Sequence, residues 1–335
     1  MTDLSNKVAE LFPGKRIVIA GDLVADQFLT GSISRVSREA PVFILRHEQT
    51  ETRPGGAANA AANVASLGGT PLLVGVTGGD ENGRLLRESL RDAGVNCNSV
   101  LSNTDGRTTT KVRVLAGQSY SVKQQVIRID YENRTEFPQA MRDELIQNIR
   151  SAAVNADAIV VSDYGYGVVS KDLFSEAQSL AKQNSIPLVV DSRFRLGEFS
   201  GATSATPNQE EVEQLIGPNF SDADCTRLCG ELGFDSLLIT CGNKGIIVIE
   251  SGGNLRRFAA IGSTEPVDVT GAGDTVIAAY SLGLASGLSP VDAATIANHA
   301  GGIVVMKKGT ATAPANELIE SLRTHMDLAY SDSAA

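Results

Sequence analysis

The chain has 335 residues, 42% of them hydrophobic and 20% charged, which predicts a globular protein with one large α/β domain and an appendage. Its formal net charge of -10 disfavours nucleic acid as a partner, so any bound phosphate must be held by local backbone donors and a few cations. The sequence shows no basic leader and no apolar run of membrane-spanning length, so we expect a cytoplasmic protein without a membrane partner. Its 4 cysteines and 3 histidines lack metal-ligand spacing, which disfavours a zinc site.

The first predicted strand, residues 16–22, leads into two acids four residues apart, Asp22 and Asp26. Asp22 at such a position is also explained as the cap of a turn. A carboxylate at the carboxyl end of a buried strand is well placed to accept hydrogen bonds from a sugar diol. We interpret Asp26 as the residue that binds substrate hydroxyls.

Two segments, 39–53 and 106–130, alternate in polarity and carry many Thr, Val, Arg and Lys residues without helical spacing. This pattern is typical of half-exposed antiparallel strands. We predict a small β-sheet lid over the site, formed at about residues 35–53 and 106–132 and inserted in a single domain that spans 1–335. The unburied face of such a lid would be a natural contact for a homodimer.

Between these segments, "RPGGAANAAANVASLGG" at 53–69 indicates a Gly-Gly turn that runs into an alanine-rich helix. Close packing of small residues on the sheet explains this pattern without any ligand. Alternatively, Gly55 and Gly56 allow a ligand to approach the backbone, and Asn59 presents its amide to hydroxyl groups. Both interpretations remain open from the sequence.

Further elements alternate regularly along the chain. Apolar, β-branched runs lie at 71–78, 158–165, 187–193, 236–242 and 245–250. Helical patterns lie at 82–94, 139–153 and 170–184. The alternation predicts a mostly parallel sheet with helices on both faces, and in such sheets ligands bind beyond the carboxyl ends of the strands.

The stretch "TPNQEEVEQLIG" at 206–217 indicates a helix start, with Thr206 or Asn208 as its cap and Glu210 and Glu211 in the first turn. A cap accounts for this spacing. A carboxylate at the same place would also suit the water shell of Mg²⁺, which keeps most of its waters when it binds protein.

The stretch "VDVTGAGDTVIAAY" at 267–280 places a single acid, Asp274, on the first turn of an apolar helix. Helix capping explains part of the pattern. The order G-A-G-D also gives consecutive backbone N–H groups, from Gly271, Ala272 and Gly273, which suit an anion at a helix start. A carboxylate beside such an anion hole can take the proton of an attacking hydroxyl, so we predict that Asp274 is a general base.

Signatures of P-loop enzymes, dinucleotide oxidoreductases and α/β hydrolases do not occur in the sequence. Instead, motifs in collinear order over residues 16–325 resemble the ribokinase-like (PfkB) carbohydrate kinase family: "GDLVAD", "PGGAANAAANVASLGG", "GVTGGDENG", "SDYG", "TPNQEE", "TCGNKG", "DVTGAGDT" and "KKGTATA". The resemblance implies a three-layer α/β/α sandwich with a mostly parallel sheet and a small β-sheet lid. It also implies transfer of the γ-phosphoryl of ATP to a sugar hydroxyl in the presence of Mg²⁺.

The family motifs imply roles for individual positions. Asp274 would be the base, with the anion hole at Gly271, Ala272 and Gly273. The sugar contacts would be Asp26, Gly55, Gly56 and Asn59. Mg²⁺ would be held through water by Asn208 and Glu211. The ATP side would include Asp191, Thr240, Gly242, Gly245 and Asn298. A monovalent cation, K⁺ in some members, would lie near Asp268, Thr270 and Gly309.

Within the family, "SRVSREAPVF", "TTTKVRV", "QQVIRID" and "ANHAGGIVVMKKGTAT" are most similar to the D-glycero-D-manno-heptose 7-phosphate kinase subgroup. This likeness implies cations near a sugar phosphate, at Arg35, Lys111, Arg113 and Arg128, although solvated lid residues would show the same pattern. The chain departs from the subgroup at Tyr166, where a lysine is usual, and at Asp191-Ser192-Arg193, where the subgroup has D-P-K.

Because of these departures, the sequence leaves the sugar and the phosphorylated hydroxyl open. The alternatives to a heptose phosphate kinase are a kinase of another sugar or nucleoside, a non-catalytic protein that binds a sugar or nucleotide, and an assembly protein that uses the lid sheet.

Overall fold

The computed structural model describes residues 4–118, 120–132, 136–263 and 265–332, with side chains described as far as residue 324. Ser119, in the predicted lid segment, lies outside the described residues. The strands are, in chain order, β1 (Arg16–Gly21), β2 (Leu23–Val36), β3 (Phe43–Gly56), β4 (Thr70–Gly78), β5 (Val100–Asn103), β6 (Thr110–Gly117), β7 (Gln124–Tyr131), β8 (Ala158–Asp163), β9 (Leu188–Ser192), β10 (Ser204–Ala205), β11 (Ser236–Thr240), β12 (Ile246–Glu250) and β13 (Leu255–Phe258).

The helices alternate with these strands. In chain order they are α1 (Leu4–Leu11), α2 (Ala57–Ser66), α3 (Glu81–Asp92), α4 (Gln139–Ala152), α5 (Lys171–Asn184), α6 (Gln209–Ile216), α7 (Asp222–Glu231), α8 (Ala272–Ala285), α9 (Pro290–Val304) and α10 (Ala315–Asp332). In the part of the chain that the structure describes, none of these helices combines the length and the apolar character needed to cross a bilayer.

The main sheet has nine strands in the order β13-β12-β11-β10-β9-β8-β1-β4-β5. In this order, all neighbouring strands between β11 and β5 pair in parallel. At the other end of the sheet, β12 pairs antiparallel with β11, and β13 pairs antiparallel with β12. Alternate residues of β1 enter different cores: Ile17 and Ile19 pack with α2, α8 and α9, whereas Val18 and Ala20 pack with α4 and α5. Burial on both faces explains the continuous apolar runs of the sequence and confirms the predicted α/β/α fold class.

A second sheet, which we call the lid sheet, has the strand order β3-β2-β6-β7. The sequence predicts that its first strand lies at about 35–53, but the structure places a further strand, β2, at Leu23–Val36, directly after β1. The first residues of β2 are apolar and buried, so in sequence they resemble a continuation of β1. The prediction of antiparallel strands is also only partly correct, because β2 and β6 pair in parallel.

Gly21, the last residue of β1, lets β1 and β8 approach closely just beneath the lid sheet. A Cβ atom on Gly21 would lie 2.1 Å from the carbonyl oxygen of Ser162 in β8. Only glycine fits there, because the obstacle is backbone and cannot rotate away.

We therefore expect Gly21→Ala to lower the free energy of unfolding by about 2 to 3 kcal/mol, as overpacking of a close contact usually does. Gly230→Ala is the matched control, because Gly230 lies in α7 with no atom within 4 Å of an added Cβ. In a helix, alanine should leave the stability unchanged or raise it by up to about 1 kcal/mol. Urea unfolding followed by circular dichroism measures both, and equal midpoints for the two variants would contradict the prediction.

Candidate active site

The carboxyl ends of the main-sheet strands and the lid sheet enclose a polar cleft of about 430 Å³. An apolar pocket of about 180 Å³ lies beside it, between β12, α8 and α9. The two share the lining residues Thr240, Val269, Ala272 and Gly273. They therefore form one continuous site with a polar end and an apolar end, joined at the start of α8.

Asp274 lies at this junction on the first turn of α8, and only 4% of it is exposed. Its Oδ2 accepts a hydrogen bond from Nδ2 of Asn59 at 2.9 Å, and its Oδ1 accepts one from the hydroxyl of Tyr164 at 2.7 Å. Burial raises the pKa of Asp274 to about 6, although both hydrogen bonds act to lower it. Asp274 thus changes charge close to neutral pH, as a general base should.

Asn59 is itself held by a second asparagine of α2. Nδ2 of Asn63 donates to Oδ1 of Asn59 at 3.1 Å, and Oδ1 of Asn63 accepts from the backbone N–H of Ala313 at 3.1 Å. The sequence-based interpretation had Asn59 contacting substrate hydroxyls. In the structure both ends of its amide are engaged, because α2 packs against α8, and Nδ2 points at Asp274 instead.

The predicted anion hole lies at the start of α8. Gly271 has a φ of 78° and caps the helix, and the N–H of Thr275 bonds to its carbonyl oxygen at 3.1 Å. Among the described residues, no acceptor bonds the backbone N–H of Gly271 or Gly273, whereas that of Ala272 contacts the carbonyl oxygen of Val269 at 3.3 Å. All three residues line the polar cleft, so at least two amides remain available to an anion.

Asp26 lies at the lid side of the polar cleft, on β2. Its Oδ1 accepts from Nη1 of Arg113 at 3.0 Å. Burial raises the pKa of Asp26, while the charges of Arg113 and Lys111 oppose that rise. Gly55 makes room for this carboxylate, because a Cβ there would lie 2.6 Å from Oδ2 of Asp26.

Two of the four cations predicted for a sugar phosphate line the polar cleft, namely Lys111 and Arg113. The ammonium of Lys111 lies 5.5 Å from the ring centroid of Tyr164 and 5.9 Å from that of Tyr166. Burial lowers the pKa of Lys111, and Asp26 partly restores it.

The other two predicted cations, Arg35 and Arg128, are exposed on the lid sheet and do not line the polar cleft. Arg35 lies near the far end of β2, and Arg128 bonds Asp130 at 2.9 Å on the edge strand β7. The sequence did not assign Arg193 a role, yet Arg193 lines the cleft.

Tyr166 occupies the place of the subgroup's lysine, and its hydroxyl bonds Oε1 of Glu132 at 3.3 Å. Burial, reinforced by the charge of Glu132, raises the pKa of Tyr166 to about 12, so the phenol stays neutral. Its ring lies beside the ammonium of Lys111, so a positive charge is present next to the position at which the chain departs from the subgroup.

Asn208 and Glu211 form a reciprocal cap at the start of α6. The N–H of Glu211 donates to Oδ1 of Asn208 at 2.9 Å, and the N–H of Asn208 donates to Oε2 of Glu211 at 2.8 Å. The capping interpretation is therefore correct, and both residues also line the polar cleft.

The cleft is acidic on this side. Burial and the neighbouring charges of Glu211 and Asp274 raise the pKa of Asp191 well above its usual value, and burial also raises that of Glu211. Such mutual repulsion favours a bound cation. Within the described ranges, no group of three or more His, Cys, Asp or Glu side chains is arranged to ligate a metal directly. The donor set therefore fits a divalent ion held through water, as Mg²⁺ often is.

The apolar pocket is bordered by two glycines with positive φ and by Asn298. Gly242 and Gly245 have positive φ of 58° and 91°, and a Cβ on Gly245 would lie 2.0 Å from the carbonyl oxygen of Phe258. Nδ2 of Asn298 donates to the carbonyl oxygen of Ala259 at 2.7 Å. The apolar lining includes Ile246, Ile261, Val276 and Val305.

Asp268, Thr270 and Gly309, predicted near a monovalent cation, also meet in the structure. The carboxylate of Asp268 accepts from the N–H of Thr270 at 3.0 Å and from that of Gly309 at 2.9 Å. Burial alone would raise the pKa of Asp268, but these hydrogen bonds outweigh it and lower the pKa. The carboxylate thus ties two loops together beside the start of α8.

Sequence reasoning missed Tyr164, which lies in the "SDYG" motif directly after β8. Its backbone N–H donates to Oδ2 of Asp22 at 2.8 Å, and the N–H groups of Tyr166 and Val168 donate to the same carboxylate at 3.0 Å each. Asp22 therefore organises this segment, in line with its interpretation as a turn cap. The sequence signal that could have identified Tyr164 is its position, as an aromatic residue at the carboxyl end of a central strand.

Comparison with known proteins identifies the family. Residues 16–317 match the model of the pfkB family carbohydrate kinases. The Bifunctional protein HldE of Mesorhizobium japonicum is 36% identical over 329 residues, which cover 96% of this chain and 65% of that protein. The protein of the same name from Citrifermentans bemidjiense is 37% identical over 310 residues, 91% of this chain and 62% of its own. The chain thus spans slightly less than two thirds of the length of these curated relatives.

Solved structures show the same fold. The ribokinase of Arabidopsis thaliana, complexed with ribose and ATP, superposes with a TM-score of 0.69 at 21% identity and covers 92% of this chain and 99% of its own. Escherichia coli phosphofructokinase-2, in complex with potassium, gives a TM-score of 0.74 at 17% identity and covers 93% and 99%. The chain belongs to the pfkB family of carbohydrate kinases, so the predicted family, fold class and enzyme class are confirmed.

The two glycines at the start of α8 predict opposite effects of the same substitution on stability. We expect Gly271→Ala to lower the melting temperature, because its φ of 78° disfavours alanine and the new Cβ would lie 2.4 Å from Nδ2 of Asn59. Gly273 lies inside α8 with no atom within 4 Å of an added Cβ. Gly273→Ala should therefore leave the melting temperature unchanged or raise it, with a gain of up to about 1 kcal/mol in the free energy of unfolding. The variant should nevertheless turn over more slowly, because Gly273 lines the cleft and the added methyl group would take up space there. Calorimetry and a kinase assay test both variants, and equal melting temperatures for the two would contradict the predicted difference in stability.

Proposed function

We propose that this pfkB family kinase transfers the γ-phosphoryl of ATP to a hydroxyl of a sugar that already carries a phosphate, with a heptose 7-phosphate as the leading substrate. The observation that carries the proposal is the position of Asp274 and the open amides of α8 at the junction of a polar cleft and an apolar pocket. The relatives named Bifunctional protein HldE are consistent with the heptose 7-phosphate kinase subgroup that the sequence resembles.

In this proposal the sugar occupies the polar cleft and the nucleotide base occupies the apolar pocket, near Thr240, Gly242, Gly245 and Asn298. Asp26 accepts hydrogen bonds from sugar hydroxyls. Asp274 takes the proton of the attacking hydroxyl, and a base with a pKa of about 6 is mostly ionised at neutral pH while it still binds a proton well. The amides of Gly271 and Gly273 stabilise the charge on the transferring phosphoryl group, where phosphoryl transfer needs it most.

The positive charges of the cleft favour a phosphorylated sugar. The protein has a net charge of -10, so its long-range field repels anions and a sugar phosphate requires local cations. Lys111, Arg113 and Arg193 supply them along the cleft wall. Arg113 is only 8% exposed and is already paired with Asp26, which holds its guanidinium in place.

The exposed apolar side chains of the lid sheet favour a homodimer through this sheet. Phe43 is 60% exposed, and on the edge strand β7 Val126 is 50% and Ile127 is 53% exposed. A second copy packed there would cover these side chains and would surround Arg35 and Arg128, which we retain as candidate substrate contacts on that basis. The lid strands and the α/β/α sandwich would then act as one kinase domain.

Two ions complete the proposal. Mg²⁺ would neutralise charge on the ATP phosphates, and Asn208, Glu211 and Asp191 fit its water shell. A monovalent cation such as K⁺ would lie near Asp268, Thr270 and Gly309, beside the start of α8.

A panel of sugars and sugar phosphates, assayed for ADP release with ATP and Mg²⁺, tests the proposed function. We expect a phosphorylated heptose to give the highest kcat/KM, and a better unphosphorylated sugar or a nucleoside would overturn that assignment.

Since Asp274 must be ionised, kcat/KM should fall about tenfold per pH unit below about pH 6. Asp274→Asn should lower kcat on the order of 10²-fold or more with little change in the KM for ATP. Near-normal turnover of this variant would exclude Asp274 as the base.

The role of Glu211 can be separated from its capping role. Glu211→Gln retains an acceptor for the N–H of Asn208, so the helix cap and the melting temperature should be preserved. The loss of charge should weaken activation by Mg²⁺ about tenfold or more. Glu210→Gln is the matched control in the same helical turn, because Glu210 is exposed and does not line the cleft. Identical Mg²⁺ titrations for the two variants would contradict a role for Glu211 in holding the metal's waters.

A further inference from the structure

Both oxygens of the Asp274 carboxylate are bonded by side chains from different parts of the chain. Asn59 approaches from α2, and Tyr164 approaches from the segment after β8. The hydroxyl of Tyr164 makes the shorter bond, at 2.7 Å.

Tyr164 is itself constrained at several points. Its backbone N–H donates to Asp22, and a Cβ on Gly56 would lie only 3.3 Å from Cε2 of its ring, so the glycine leaves space for the ring. The ammonium of Lys111 lies 5.5 Å from the ring centroid. A ring restrained at its backbone, its edge and its face has little freedom, so its hydroxyl is directed at Oδ1 of Asp274 before any substrate binds.

We propose that Tyr164 is a positioning residue for phosphoryl transfer: its hydroxyl orients the Asp274 carboxylate beside the α8 amides and stabilises the ionised form of that base. Its ring also connects the base to Lys111 on strand β6 of the lid sheet. This inference rests on the proposed function, since it concerns the same base.

The charges around Asp274 agree with this assignment. Burial raises the pKa of Asp274, the hydrogen bonds from Asn59 and Tyr164 lower it, and Asp26 and Lys111 act in opposite directions. Asp191 is a further carboxylate that interacts with Asp274. The phenol remains protonated, because burial and then the charge of Asp274 raise the pKa of Tyr164 well above its usual value. Tyr164 is therefore a permanent donor to the carboxylate at any working pH.

Tyr164→Phe removes the hydroxyl and retains the ring. Without this hydrogen bond the ionised carboxylate is less stable, so the pKa of Asp274 should rise by about one unit. The acid limb of kcat/KM should move to higher pH by the same amount, with about a fivefold loss of activity at pH 6 and little change in the KM for ATP. Tyr166→Phe is the matched control, because its hydroxyl bonds Glu132 and not Asp274. Its acid limb should coincide with that of the wild type.

A substitution in the opposite direction guards against a variant that merely folds poorly. In place of Tyr164, 3,5-difluorotyrosine keeps the ring and has a more acidic hydroxyl, which donates a stronger hydrogen bond. It should lower the pKa of Asp274 and move the acid limb to lower pH. Coincident acid limbs for the wild type, the Phe variant and the fluorinated protein would overturn the inference.

Titration of the Asp274 carboxyl by ¹³C NMR, assigned with Asp274→Asn, gives a readout that does not need turnover. In the full chain, Tyr164→Phe should raise the measured pKa by about one unit and Tyr166→Phe should not. If the wild-type protein phosphorylates no sugar but Tyr164→Phe shows this pKa shift, the proposed function is refuted and the link between the two residues stands. If the wild-type protein is a sugar kinase but Tyr164→Phe shows no shift, only the role of Tyr164 is refuted.

Discussion

The proposed reaction depends on one constraint: a carboxylate that is buried in the protein, that of Asp274, must stay ionised if it is to act as a base. Burial favours the neutral acid and raises the pKa of Asp274. Two neutral donors, the amide of Asn59 and the phenol of Tyr164, oppose this effect, and the balance leaves a pKa of about 6. The three side chains come from α2, α8 and the segment after β8, so the chemistry of a single residue requires three distant parts of the chain to pack correctly.

The glycines of the site serve this arrangement mainly by leaving space for other side chains. A Cβ on Gly55 would contact the carboxylate of Asp26, and one on Gly56 would crowd the ring of Tyr164. A Cβ on Gly271 would contact the amide of Asn59. Each of these glycines therefore makes room for a side chain of the candidate site.

Features that depend on neighbouring residues along the chain were predictable from the sequence. The apolar runs indicate the parallel sheet, and "GAGD" indicates a helix start with an acid in its first turn, because both are local patterns. Strand β2 was hidden because Leu23, Val24 and Ala25 are as apolar as the strand before them. Lys111 and Arg35 are both cations in predicted lid strands, so the sequence does not distinguish their positions. Only the length and direction of the lid strands decide which of the two side chains reaches the cleft. The contact of Tyr164 with Asp274 joins residues 110 positions apart, so no local pattern could show it.

The edge of the lid sheet has a consequence for the behaviour of the protein in solution. Among the residues that the structure describes, strand β7 is the last strand of its sheet and no strand pairs with its outer edge. It exposes the apolar side chains of Val126, Ile127, Ile129 and Tyr131. An uncovered apolar edge of this kind is a template for aggregation by strand addition. The net charge of -10 opposes such association by mutual repulsion between molecules, and this repulsion weakens as ionic strength rises. Colloidal stability of the chain therefore decreases with added salt wherever this edge is left uncovered.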